Sequence, residues 1–448
     1  MTTRPTPHRP AEGRVSIAKA LDRAERDGRR VRVGLIGVGQ MGTDIVVQIA
    51  QMQGIEIVAA AETRPERVED AVRMAGERSR QPLVASSAAD ISRAIAAGRL
   101  AVANNAEAVC RAPEVDVVID ATGNPNAGAT VALTAIAAKK HMVMMNVEAD
   151  VTIGAYLAAE ADKAGVVYTL GAGDEPTAAM ELINFVRGLG YPVVAAGKGK
   201  NNPFRIDAIP DDYRDEAKRR NMNPRMLVEF VDGSKTMVEM VAIANAAGLM
   251  PDIPGMHGPA APRDELQKYF CPKEEGGLLA KKGVVDFTVA KGVAPGVFCV
   301  AEMRHPRVRE RMSDLHLGPG PYYSFFRPYH LTSLEVPLSA VAAVLFGESH
   351  MRPQSVPTAE VGCVAKRDLK VGETLDAIGE YCYRGFALTR VDALARQALP
   401  LGLAQGAKVV KPVAKGELIT RAAAEPDQSL KIVAVRRLHE ARIAALTG

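Results

Sequence analysis

Apolar and polar positions fall into blocks along the first third of the chain. Residues 31–36 are a short continuous apolar run, residues 41–52 space their apolar side chains as a helix does, and residues 55–61 are a second apolar run. Residues 115–119 predict a third strand, 128–138 an Ala-rich helix and 141–146 another strand. Strands alternating with helices predict parallel pairing with helices on both faces: a doubly wound parallel sheet of the Rossmann kind, in the α/β class. Upstream, residues 15–26 place Ile17, Ala20, Leu21 and Ala24 on one helix face. Residues 1–14 are polar and Pro-rich, read as disordered, and do not resemble a signal peptide.

From residue 151 the pattern changes. Helices are predicted over 156–164, 177–189, 234–247 and 334–345, and strands over 166–170, 284–289 and 296–300. After Met351-Arg352-Pro353 a phrase repeats: a short strand, then Lys370-Val371-Gly372-Glu373-Thr374-Leu375, and again Lys415-Gly416-Glu417-Leu418. Short strands and Gly turns at this density predict a small β-rich domain. The expected organisation is therefore a dinucleotide-binding domain with an N-terminal extension (1–150), an α+β substrate and dimerisation domain (151–352) and a β-rich domain (353–448). The helix at 334–345 is a candidate to return to the first domain.

Composition narrows the classes. A net charge of +4 over 448 residues gives no reason to expect a nucleic-acid or membrane partner. No apolar run reaches the ~18 residues of a membrane span. Five cysteines without a CxxC pair disfavour a disulfide framework and a zinc site, and suggest a reducing, cytoplasmic setting.

The sharpest motif is Gly37-Val38-Gly39-Gln40-Met41-Gly42, which follows a strand and opens a helix. Gly37 would allow the tight turn, Gly39 the approach of a pyrophosphate, and Gly42 close packing of helix on sheet. The N–H groups of the helix start, around Gln40 and Met41, would face the phosphates. Twenty residues after Gly42 stands Glu62, placed to accept ribose hydroxyls and favouring NAD. Arg64 and Arg67 follow and suit a 2′-phosphate. The balance expected is NADP(H) over NAD(H). Thr122-Gly123 and Asn146-Val147-Glu148 end later strands and are expected to line the nicotinamide side, whereas Asp120 could equally cap its loop.

Three clusters suit a substrate. Asp174-Glu175 precede Pro176 at a helix start, where two carboxylates could hold a divalent cation or simply favour the helix dipole. Gly197-Lys198-Gly199-Lys200-Asn201-Asn202 reads as a basic Gly-rich loop, suited to a phosphate or carboxylate or merely solvated. Lys235 and Glu239 lie one helical turn apart, in the order less favourable for a simple surface pair. A Lys so placed could protonate a carbonyl oxygen as hydride arrives. His330 is a further candidate. No Ser/His/Asp or Cys/His arrangement supports hydrolysis.

With its Gly37–Gly42 turn, the Gly197–Pro203 stretch, Gly292-Val293-Ala294-Pro295-Gly296-Val297-Phe298 and the repeated Lys/Gly/Glu phrase, the chain resembles homoserine dehydrogenase-like oxidoreductases carrying a C-terminal SAF domain. Within that group it is similar to the 1-deoxy-D-xylulose-5-phosphate reductoisomerase-like proteins. The resemblance implies NADPH-dependent conversion of that sugar phosphate to 2-C-methyl-D-erythritol 4-phosphate by a homodimer, for isoprenoid precursor synthesis. It also implies a divalent cation, Mn or Mg, chelating vicinal substrate oxygens. Lys198, Lys200 and Asn201 would then grip the phosphate. Asp174 and Glu175, with Glu239 as a further candidate, would hold the metal, and Lys235 would act as acid or stabiliser. Two other readings stand beside it: a dehydrogenase of a small hydroxy or keto compound without rearrangement, and a non-catalytic nucleotide- or carbohydrate-binding protein.

Overall fold

The apolar runs of the first half are continuous rather than alternating, so their strands need cover on both faces. The computed structural model describes residues 16–220 and 222–448; the expectation for residues 1–14 lies outside them. After α1 (Ile17–Arg26), strands β1 (Val31–Ile36), β2 (Ile55–Ala61), β3 (Pro82–Val84), β4 (Leu100–Ala103), β5 (Val117–Asp120), β6 (His141–Met144) and β7 (Tyr168–Leu170) form one sheet in the order β3-β4-β2-β1-β5-β6-β7. Every pairing in it is parallel. Helices α2 (Gln40–Gln51), α3 (Glu66–Ala75), α4 (Ala88–Ala96), α5 (Ala106–Arg111), α6 (Pro125–Ala137) and α7 (Val147–Ala164) make the crossovers. Strand order reverses at β1, where Ile36 stands beside Ala61 of β2 and Asp120 of β5. A ligand crevice belongs at the carboxyl ends of these strands.

The strand expected third, at 115–119, is the fifth. The two before it escape a periodicity test because β3 and β4 are three and four residues long, and β3 is largely exposed.

The next segment comprises α8 (Glu175–Gly188), β8 (Val193–Gly199), α9 (Arg214–Arg219), α10 (Pro224–Val231), α11 (Ser234–Ala247), β9 (Met250–Pro251), α12 (Leu266–Tyr269), β10 (Val284–Thr288), β11 (Val297–Glu302), α13 (Pro306–Asp314) and β12 (Tyr322–Arg327). Its strands form a second sheet, β12-β11-β8-β10-β9, in which β8, β10 and β9 are parallel and β11 runs antiparallel to β8 and β12. The Gly/Lys/Asn stretch expected to be a loop is half strand: residues 197–199 end β8. A Cβ on Gly197 would lie 1.6 Å from the Asp286 carbonyl oxygen, and one on Gly199 2.3 Å from the Ala294 nitrogen. Glycine there serves close strand packing, not a flexible anion loop.

The chain then returns to the first sheet. The helix expected at 334–345 is a 3-10 turn (Thr332–Leu334), α14 (Val336–Val341) and a π-turn (Ala342–Phe346). Val336, Ala340 and Val341 join the core beneath β1 and β5. Residues 353–448 contain the antiparallel pair β13 (Ala359–Ala365) and β14 (Tyr383–Thr389), α15 (Arg390–Ala395), and the short pair β15 (Lys408–Val409) and β16 (Ala424–Glu425). The β-rich expectation needs one correction. Residues Lys431–Thr447 form a long helix, α16, packed on α6 and α7. Its buried face (Ile432, Val433, Val435, Arg436, His439, Ile443) mixes apolar with basic residues, which hides the helix from a hydrophobicity pattern.

Candidate active site

The crevice between β1 and β5 is a backbone site. Gly37 has φ +88°, and a Cβ on it would press on the Ala121 carbonyl oxygen at 2.8 Å. A Cβ on Gly42 would come within 2.2 Å of the Gly37 oxygen, so α2 packs on its own turn. Gly39 has nothing within 4 Å of its Cβ position: this is the open side. Helix α2 starts at Gln40 and Met41 with no capping side chain and no acid in its first turn, so its N–H groups are left for an anion. These features fit a dinucleotide pyrophosphate.

Glu62 follows β2 with its carboxylate facing the glycine turn: Oε2 accepts from the Val38 N–H at 2.8 Å, and Oε1 from Thr63 Oγ1 at 3.0 Å and the Arg64 N–H at 3.2 Å. Arg67 lies 3.9 Å away and Arg64 is exposed. Acid and arginines thus share one rim of the crevice. On its other side, Thr122 and Gly123 follow β5, and the Thr122 N–H donates to Asp120 Oδ1 at 3.0 Å. Burial pushes buried Asp120 up to about 6. Asn146 and Glu148 both have partners within the protein. Asn146 accepts from the Ala149 N–H at 3.1 Å, capping α7, and donates from Nδ2 to the Asn124 carbonyl at 2.7 Å, so its amide ties loop to helix. Glu148, in the first turn of α7, accepts from Lys235 Nζ at 3.0 Å.

The second cluster is made of side chains from separate elements. Lys198 of β8 points its ammonium at Glu175 of α8 (2.9 Å) and at Glu239 of α11. One turn earlier on α11, Lys235 holds Glu148. Asp174 caps the site at the start of α8, and carboxylate oxygens of Asp174, Glu175 and Glu239 lie within 4.8 Å of one another. His330 Nε2 is 3.5 Å from Glu175 while its Nδ1 meets the Pro295 carbonyl at 2.8 Å. Arg327 and Glu335 pair at 2.6 Å beneath that loop, and Glu335 also accepts from the Leu331 N–H.

Four carboxylates therefore share two ammonium groups, and the proton affinities of Asp174, Glu175 and Glu239 diverge. Burial and the adjacent Glu175 push Asp174 upward, and burial and Glu175 likewise raise Glu239. Burial would raise Glu175 too, but Lys198 and His330 outweigh it and hold it well below the usual carboxylate range. Burial would strip Lys198 and Lys235 of their protons; the carboxylates around each reverse this and keep both charged. Such divergence marks an acid/base or cation site. The oxygen-only donor set, short of positive charge, fits a hard divalent cation.

Lys200 and Asn201 do not join Lys198 as one grip. Lys200 is buried and donates to the Phe230 carbonyl, whereas Asn201 is exposed. Lys200 lies just past the end of β8, where its ammonium is taken by a backbone carbonyl while Lys198 is held by carboxylates. Burial, then Lys198, brings Lys200 down to about 8. Two groups were not anticipated. Glu229 of α10, reaching Arg225 only at 3.7 Å, is raised to about 8 by burial and Glu148. Ser333 donates to Asp44 of α2 at 2.9 Å, joining the His330 segment to the dinucleotide helix. No local pattern marks either.

A doubly wound sheet with an open glycine turn, next to a buried acid–lysine cluster, defines an oxidoreductase with a nicotinamide cofactor. Comparison with known families agrees. Residues 37–170 match the homoserine dehydrogenase NAD-binding domain, and residues 173–336 match the catalytic domain of the oxidoreductase DRL. The chain thus carries an NAD-binding Rossmann domain followed by an oxidoreductase catalytic domain. No curated protein matches it. Among solved structures it is similar to a probable dehydrogenase from Thermotoga maritima (14% identity, 71% of this chain and 90% of that one, TM-score 0.41). Another is scyllo-inositol dehydrogenase from Lactobacillus casei with bound NAD(H) and scyllo-inositol (14% identity, 61% and 73%, TM-score 0.34). A third is a dehydrogenase from Chromobacterium violaceum (21% identity, 40% and 47%, TM-score 0.27). Among the described residues, no helix is long and apolar enough to cross a membrane.

Proposed function

We propose that the protein is an NADPH-dependent reductoisomerase that converts 1-deoxy-D-xylulose 5-phosphate to 2-C-methyl-D-erythritol 4-phosphate with a divalent cation, Mn or Mg. The observation that carries this reading is the convergence of Asp174, Glu175 and Glu239 beside Lys198 and Lys235. The cofactor would supply hydride, and the cation would polarise adjacent substrate oxygens. Rearrangement leaves the composition of the sugar phosphate unchanged, and reduction adds one hydride and one proton. In the chain, Asp174, Glu175 and Glu239 hold the cation and Lys198 offsets their remaining charge. Lys235, kept charged by Glu148, stabilises the developing oxyanion by charge instead of giving up its proton. Lys200 supplies the cation for the substrate phosphate, and Arg64 favours the 2′-phosphate of NADPH.

A second reading has one observation in its favour. Lys198 already pairs with Glu175 and Glu239, so these acids can serve a metal-free dehydrogenase of a small hydroxy or keto compound. One assay separates the two: NADPH or NADH oxidation with 1-deoxy-D-xylulose 5-phosphate, with Mn²⁺ or with chelator, and product mass. Oxidation needing both sugar phosphate and cation, faster with NADPH, is expected. Turnover unaffected by chelator would select the simpler dehydrogenase, and NADPH binding without turnover would leave neither.

A further inference from the structure

A cavity of about 630 Å³ lies where α7, α15 and α16 meet, and it shares no residue with the cluster around Lys198. Its volume is in the ~300–1,000 Å³ range of small-molecule sites. Its basic walls are Arg390, Arg421, Arg436 and His439, and its acids are Glu360 and Glu440. Those acids are already engaged. Arg436 donates to Glu440 at 2.7 Å, to Glu360, and to the Thr152 carbonyl at 2.8 Å, and Arg421 donates to Glu440 at 3.2 Å. Arg390 has no ion-pair partner among the described residues, so three guanidiniums face two carboxylates.

A second observation points the same way. His439 is 3% exposed, and its Nδ1 has no hydrogen-bond partner. Buried polar atoms are seldom left so, and this one lies in the wall just behind the cavity's surface. Burial and the Arg436 guanidinium hold His439 down at about 3, so the ring is neutral, with one N–H and one lone pair to offer. The rest of the wall is largely apolar, with Val151, Ala393 and Ile443 buried and Gln397 and Thr447 as its other polar residues.

We propose that this cavity binds a small amphiphilic carboxylate, a single negative charge on a short apolar body. Arg390 pairs with the head, and the body packs on Val151, Ala393 and Ile443 beside the His439 ring. One spare guanidinium beside a neutral imidazole matches a monoanion; a phosphate dianion would keep a charge uncompensated.

Calorimetric titration of the full chain with octanoate, and with octanol as the uncharged match, tests this. Octanoate should bind once per chain and octanol at least tenfold more weakly. Arg390→Gln should weaken octanoate at least tenfold, and Arg390→Lys less. Ala444→Trp, which fills the cavity from its exposed edge, should abolish binding with Arg390 in place. NADPH binding, expected unchanged, reports that each variant is folded. If Arg390→Gln does not fold, Ala444→Trp decides. Absence of octanoate binding, octanol binding equally well, or octanoate binding that survives both Arg390→Gln and Ala444→Trp would overturn the proposal.

Discussion

The dinucleotide crevice and the acid–lysine cluster are built on opposite terms. The crevice is made of backbone: three glycines, a bare helix start and one carboxylate that turns inward to the Val38 N–H. Its donors are left open, and it can receive a ligand without rearrangement. The cluster is made of side chains from α7, α8, β8 and α11, each already paired with another. Its polarity is satisfied internally, so a substrate or cation must exchange for existing partners. Open backbone sites bind by shape, whereas closed charged ones react because their proton affinities have been driven apart.

The sharpest way to break this contrast is Lys198→Ala. In the cluster it strands Glu175 and Glu239 in a buried place, which should cost about 3–5 kcal/mol in denaturant unfolding and turnover by at least 100-fold. Nicotinamide-cofactor affinity, set by the crevice, should hold in the variant that remains folded. If turnover survives, the cluster is structural.

The reverse experiment is Gly39→Ala. A Cβ there meets nothing within 4 Å of the protein, so unfolding free energy should stay within about 0.5 kcal/mol. The same methyl enters the space of the pyrophosphate, and NADPH Kd should rise by roughly tenfold or more. Unchanged affinity in a fluorescence titration would mean that the dinucleotide does not approach this turn.

A smaller effect concerns pH. Lys200 loses its proton near 8 in the fold and at 10.5 in the unfolded chain. Its depressed value makes a stability contribution that is complete above 10.5 and is lost as pH falls through about 8, so stability should rise with pH across that window. Its charge goes the other way, and KM for a phosphate-bearing substrate should increase roughly tenfold between pH 7 and 9. Lys200→Arg should flatten both profiles; a KM profile of the wild type already flat over this range would remove Lys200 from substrate binding.

The amino-acid sequence alone determined the first half of the molecule to a useful depth. Continuous apolar runs dictate parallel strands covered on both faces, and Gly37, Gly39 and Gly42 act through their own backbone, so motif and function coincide in one stretch. That Glu62 would stand at this turn was legible for the same reason, since its distance from the turn is counted along the chain. Residue types in the second site were also legible: Asp174, Glu175, Lys198, Lys235 and Glu239 all stand in the cluster. Their partners were not. That Lys198 meets Glu239, that Glu148 meets Lys235, and that α16 closes over α7 are consequences of packing between segments tens to hundreds of residues apart. A periodic pattern reports which face of an element is buried and nothing about what lies against it. Charge pairing inside a protein depends on burial and distance, and those exist only once the chain has folded.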